Sequence, residues 1–162
     1  MRTPIDMPAL LRLRAEWRAI GRIVVCTNGV FDLLHYGHLQ YLDAARALGD
    51  VLVVGLNGDA STRRYKGPAR PLVPQEERAA LLLALEPVDQ VVIFEEPTAE
   101  RLVGQLRPEI YCKGGDYAPE HAKALPEATV VRGYGGDVQL IPYLPGHSTS
   151  DLIRLIRERY AG

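Results

Sequence analysis

Asn28-Gly29-Val30-Phe31-Asp32-Leu33-Leu34-His35-Tyr36-Gly37-His38 follows the apolar run Ile23–Cys26 and leads into a helical pattern from Gly37 to Leu48. A strand, a tight turn and a helix in that order make the first half of a βαβ unit, the building block of a sheet covered by helices. The first turn of a helix presents unpaired N–H groups and the positive end of its dipole, so such a junction suits an anion. His35 and His38, three residues apart around the helix start, can share one side of that turn and add two imidazole donors. Gly37 between them lets a phosphate approach the backbone closely.

The same alternation runs through the rest of the chain. Val51–Leu56, Gln90–Phe94, Glu109–Cys112, Thr129–Val131 and Val138–Ile141 read as short strands, most of them apolar on both faces as parallel strands are. Between them Pro74–Leu85 and Thr98–Leu106 have helical length and spacing, and Ser148–Tyr160 closes the chain with Leu152, Ile153, Leu155 and Ile156 as an apolar stripe. Pro74 suits a first helical position, and Thr98 an N-cap with Glu100 in the first turn. The pattern predicts a Rossmann-like α/β fold: a doubly wound parallel sheet in three layers, with right-handed crossovers and a ligand crevice beyond the carboxyl ends of the strands. The polar clusters Thr27–His38, Asn57–Pro71, Glu95–Thr98 and Lys113-Gly114-Gly115-Asp116-Tyr117 each follow a strand, so they should gather at that crevice. The proline-rich Tyr65–Pro74 stretch reads as a mobile loop, and residues 1–162 as a single domain with a helical extension, 1–21, ahead of a core over 22–162.

Composition narrows the function. At 162 residues and 47% hydrophobic, the chain is long enough to bury about two thirds of its unfolded surface. A formal charge of −1 gives no global field to recruit nucleic acid or an anionic membrane, so an anion must be held locally. Cys26 and Cys112 each end an apolar run, where buried and inert thiols are common; they make no disulfide framework, and a cytoplasmic setting is expected. No apolar run reaches the length of a membrane span, and Arg12, Arg14, Glu16 and Arg18 break up the segment from Pro8 to Ile20.

Neither Gly-x-x-x-x-Gly-Lys nor Gly-x-Gly-x-x-Gly occurs, so the phosphate chemistry, if present, uses other parts. Taken alone, the histidine pair fits three readings: capping or partly buried residues without chemistry, a metal set with Asp32, or a phosphate site. Four stretches in order supply the context. They are Asn28-Gly29-Val30-Phe31-Asp32 through His38; Asn57-Gly58-Asp59-Ala60-Ser61 with Lys66-Gly67 and Arg70-Pro71; Val88-Asp89-Gln90-Val91-Val92 with Phe94-Glu95-Glu96; and Lys113-Gly114-Gly115-Asp116-Tyr117. From Thr27 onward the chain resembles the His-x-Gly-His nucleotidyltransferase superfamily, and within it most nearly the adenylyltransferases of ADP-heptose synthesis.

The resemblance implies transfer of AMP from ATP to a sugar 1-phosphate, D-glycero-β-D-manno-heptose 1-phosphate, with release of pyrophosphate. It implies His35, His38 and Lys66 as catalytic groups. Thr27, Asn28, Gly29, Val30, Phe31, Gly37, Asn57, Arg78, Ser148, Thr149 and Ser150 would bind nucleotide, and Asp32, Arg70, Lys113 and Asp116 the acceptor. Mg²⁺ is expected on the phosphates, held mostly by them and by water, with no protein metal site. A homodimer is what the resemblance suggests, with neither nucleic acid nor membrane as partner. Two other readings stay open: a cytidylyltransferase acting on glycerol 3-phosphate, and a nucleotide-binding module without turnover. Against the former, such relatives carry Arg-Thr-Glu-Gly ahead of the last helix, where this chain has Leu144-Pro145-Gly146-His147.

Overall fold

A computed structural model describes residues 2–115 and 125–160. The elements run α1 (Met7–Ala19), β1 (Val24–Gly29), α2 (Tyr36–Arg46), β2 (Val51–Asn57), α3 (Asp59–Lys66), α4 (Gln75–Ala84), β3 (Gln90–Phe94), α5 (Glu100–Leu106), β4 (Ile110–Gly114), α6 (Pro126–Gly133), β5 (Asp137–Ile141) and α7 (Thr149–Tyr160). The five strands form one parallel sheet in the order β3-β2-β1-β4-β5. Chain direction across the sheet reverses at β1, so the crevice between the carboxyl ends of β1 and β4 is the topological switch point of a Rossmann-like fold.

The strands are apolar on both faces because both are covered. Val25, Leu52, Val54, Leu56 and Val91 pack on one side with Leu42, Leu82 and Leu83 of the helices. Val24, Cys26, Val51, Val53 and Val92 pack on the other with Leu10, Leu102, Val103 and Val131. The register sets Cys26 beside Tyr111 and Thr27 beside Cys112, so the two thiols sit on neighbouring strands yet face opposite layers. Burial pushes the Cys26 thiol far up and the Cys112 thiol to about 12, which leaves both protonated.

Four local expectations fail for identifiable reasons, one of them at Thr98, which stands before the N-cap Ala99 and donates from Oγ1 to Glu100 Oε2 at 2.7 Å. Thr129–Val131 is not a strand but lies in α6, where Pro126 takes the first turn and Glu127, Ala128 and Val131 form a buried face at helical spacing. Packing of that face against α5 overrides the β-propensity of the Thr-Val-Val run. The polar Asn57–Pro71 stretch contains a helix, α3, built on hydrogen bonds rather than an apolar stripe: the Ser61 N–H donates to Glu95 Oε2 at 2.8 Å and the Asp59 N–H to Gln75 Oε1 at 2.7 Å. Pro74 stands one place outside its helix, as the N-cap. The α7 stripe runs along a helix with no fully buried residue. Among the described residues no helix is long and apolar enough to cross a membrane.

Candidate active site

At the carboxyl ends of β1, β2 and β4 a cavity of about 830 Å³ opens between the β1–α2 turn, the end of α3 and the β5–α7 loop. Asn28, His35, His38, Lys66, Lys113 and Thr149 are among its lining residues. It is where the strand order alone would put a ligand.

The histidine pair dominates the wall formed by α2. His35 occupies the N-cap position, extended at φ −142° and ψ 170°, yet its ring makes no capping bond. The rings of His35 and His38 instead stack at 3.8 Å and 23°, and the Phe31 ring lies 5.2 Å from that of His38. Both Nδ1 atoms are buried and without a partner among the described residues, which leaves the Nε2 edges to the cavity that both rings line. Burial first, and then the neighbouring His35, push His38 down to about 4; burial, followed by His147, also lowers His35. Both shifts favour the uncharged rings at neutral pH, and at that separation charge repulsion opposes protonating both in the absence of an anion. The missing bond removes side-chain capping by His35 and leaves, of the reading without chemistry, only two partly buried rings. The metal reading fails on Asp32, whose oxygens are used elsewhere.

Asp32 is fully buried and accepts from the backbone N–H groups of Leu72 at 2.8 Å and Val73 at 2.9 Å, and from Arg70 Nε at 2.5 Å. Burial works to raise its carboxyl, but these donors outweigh it and hold the group below the usual carboxylate range. Asp32, expected to bind the acceptor, lines the cavity while stapling residues 70–73 beneath it, and leaves Arg70 only partly exposed at the rim. Arg78, expected to bind nucleotide, is held within the fold. Its guanidinium has no exposed surface and donates to Val73 O, Val30 O, Asn57 O and Asp59 Oδ1, which ties together the ends of β1 and β2 and the start of α4. Four of its five N–H groups are engaged, and the buried guanidinium has no exposed surface to fork onto a phosphate. Thr27 also lies below the site, wholly buried with Oγ1 2.5 Å from Tyr41 Oη.

Phe31 takes φ 49°, an unusual left-handed conformation that turns its ring under the pair. A Cβ at Gly29 would stand 2.9 Å from that ring, so glycine there serves packing. A Cβ at Gly37 would meet His147 Cβ at 2.9 Å and His147 O at 3.1 Å; the gap is taken up by the β5–α7 loop as well as being open to a ligand. Val30 lends its carbonyl to Arg78, and Asn57 holds Ser61 Oγ through Nδ2 at 3.1 Å.

On the β4 side, Asn28 Oδ1 accepts from Tyr111 Oη and from Lys113 Nζ at 3.0 Å. Burial lowers Lys113, and the nearby Glu127 carboxylate partly restores it. Lys66 is the last residue of α3 rather than part of the loop; it is exposed, with Nζ 4.6 Å from the Tyr65 ring centroid. Ser148 caps α7, its Oγ accepting from the Asp151 N–H at 3.0 Å, while Thr149 and Ser150 line the cavity in the first turn. Asp116 lies outside the described residues. Two lining residues had no signal in the local pattern: Glu127, buried and accepting from the Ala99 N–H at 2.9 Å, and His147 on the β5–α7 loop. The first was hidden in a run read as a strand, the second in a stretch noted only for lacking an arginine.

A βα turn bearing two stacked histidines at a switch-point cavity defines a class, and the sequence confirms it: residues 26–155 match the family described as cytidylyltransferase-like, and the chain belongs to that family. Within it the chain is similar to the "Bifunctional protein HldE" of Trichlorobacter lovleyi, at 52% identity over 151 residues, covering 93% of this chain and 30% of that protein. The protein of the same name from Geobacter sulfurreducens is 47% identical over 155 residues, 96% of this chain and 31% of the relative. The chain thus spans about a third of the length of these relatives. The crystal structure of the lipopolysaccharide core biosynthesis protein from Thermoplasma volcanium superposes with a TM-score of 0.62 at 32% identity, over 76% of this chain and 98% of that one.

Proposed function

We propose that this domain transfers AMP from ATP to the phosphate of D-glycero-β-D-manno-heptose 1-phosphate, giving ADP-heptose and pyrophosphate. The observation that carries the reading is the stacked, uncharged His35–His38 pair, with buried Nδ1 atoms and Nε2 edges left to a cavity at the start of α2. An oxygen of the acceptor phosphate attacks the α-phosphorus, the bond from that phosphorus to the bridging oxygen breaks, and pyrophosphate leaves with its electron pair. His35 and His38 donate from Nε2 to the transferring and leaving phosphates as charge builds on them, backed by the free N–H groups of α2. Because burial holds His38 neutral beforehand, the site gains its positive charge when the anion arrives.

Lys113, held by Asn28, supplies a fixed cation for the acceptor phosphate, and Lys66 an exposed one that can swing from the end of α3. Among the described residues no three His, Cys, Asp or Glu side chains form a metal cage. Mg²⁺ would take its ligands from the phosphates and water, and there it supplies charge neutralisation of the triphosphate. The reading puts the enzyme in the cytoplasm, where thiols such as Cys26 and Cys112 stay reduced. A matrix of ATP, CTP and GTP against heptose 1-phosphate and glycerol 3-phosphate, scored for pyrophosphate, tests it. ATP with the heptose phosphate should give the highest kcat/KM; preference for CTP with glycerol 3-phosphate would overturn the assignment.

A further inference from the structure

His147 lies beside the histidine pair without belonging to the motif that carries it. The β5–α7 loop presses its backbone and Cβ onto Gly37, and the His147 ring stands edge-on to Tyr36 at 6.0 Å between centroids and 64° between planes. Its Nδ1 lies 3.0 Å from Pro145 O. A carbonyl can only accept, so Nδ1 carries a proton and donates, and the ring is held with Nε2 as its remaining polar atom. The ring lines the same cavity, and its charge is felt at His35, where it adds to the effect of burial.

The three imidazoles form a series from floor to rim. His38 rests on Phe31, His35 stacks on His38, and His147 is exposed at the mouth next to the capped start of α7. They do not converge on one point as metal ligands do. The cavity they line is large enough to hold a triphosphate along that series.

We propose that His147 is a third imidazole of the phosphate site, which takes up a proton on Nε2 as the anion binds and, as an imidazolium donating from both ring nitrogens, contacts the β- and γ-phosphates of the nucleotide through Nε2 and so holds the pyrophosphate that leaves. This rests on the nucleotidyltransferase reading above and adds to it a residue that sets affinity for the outer phosphates. The substitutions separate the two edges of the ring. His147→Asn keeps a donor where Nδ1 sits and can retain the bond to Pro145 O, whereas His147→Gln puts a donor where Nε2 sits.

The experiment is calorimetric titration of the wild type and both variants with Mg²⁺–α,β-methylene-ATP and with AMP. His147→Asn should weaken the triphosphate analogue about tenfold, the worth of one hydrogen bond to a charged group, and leave AMP unchanged. His147→Gln should recover part of the loss. Equal affinity of wild type and His147→Asn for the analogue would overturn the proposal, as would an equal loss for AMP, which would assign the residue to loop geometry. A wild type that binds neither ligand would instead overturn the nucleotidyltransferase reading, and this inference with it.

Discussion

Acid should destabilise the fold through His38, by an amount the structure sets. The ring is held down to about 4 against an ordinary 6.5, first by burial and then by His35 stacked at 3.8 Å. Between those values the unfolded chain binds a proton that the folded one refuses. Unfolding stability therefore rises with pH across that window and is lost as pH falls from about 6.5 toward 4. At about pH 5 the two titrations differ by a factor of about 30 in proton binding, or about 2 kcal/mol relative to pH 7.5. The ring keeps an edge on the water-filled cavity, which makes that figure an upper one. Urea unfolding of the wild type and of His38→Asn at a series of pH values isolates the effect, since every other group titrates in both. The wild type should lose about 1–2 kcal/mol more than the variant on going from pH 7.5 to 5. Parallel pH dependences would refute the claim that the pair is packed neutral, whatever the variant's stability at pH 7.5.

Further outcomes follow from the remaining contacts. His38→Ala in a folded protein should lower kcat on the order of 10²-fold, the cost of one lost transition-state donor; near-wild-type pyrophosphate release would return the pair to a structural role. Arg78→Met should lower the melting temperature by about 10 °C, since it leaves Asp59 and three carbonyls without their shared donor, a loss of about 3–5 kcal/mol. Retention of wild-type thermal stability would show that the clamp is not needed. Lys113→Ala should raise KM for the sugar phosphate more than that for ATP, and an effect confined to ATP would move Lys113 to the nucleotide side. Native protein should react with a thiol reagent only on the timescale of unfolding, because Cys26 and Cys112 have no exposed surface; labelling within seconds would contradict that burial.

The parallel sheet, its helical layers and the place of the site were legible in the sequence because they rest on local regularities. Runs such as Val51–Leu56 are apolar at every position, which only a strand covered on both faces tolerates, and the histidine motif falls where a strand hands over to a helix. The partners of individual side chains were not legible. The resemblance implied acceptor binding for Asp32 and nucleotide binding for Arg78, but it said nothing of their partners in the fold: Asp32 takes the N–H groups of Leu72 and Val73, and Arg78 the carbonyls of Val30, Asn57 and Val73. Apart from the carbonyl of Val73 on Arg78, those backbone groups come from segments some 20 to 50 residues away, and no periodicity encodes which of them a buried charge will meet. The same holds for α3, which has no apolar stripe and stands on Glu95 and Gln75, and for Thr129–Val131, where contact with α5 outweighs local propensity. His147 is the clearest case: the crossing from β5 to α7 sets it down on Gly37, 110 positions earlier in the chain, because only the assembled sheet brings the ends of β1 and β5 to one rim.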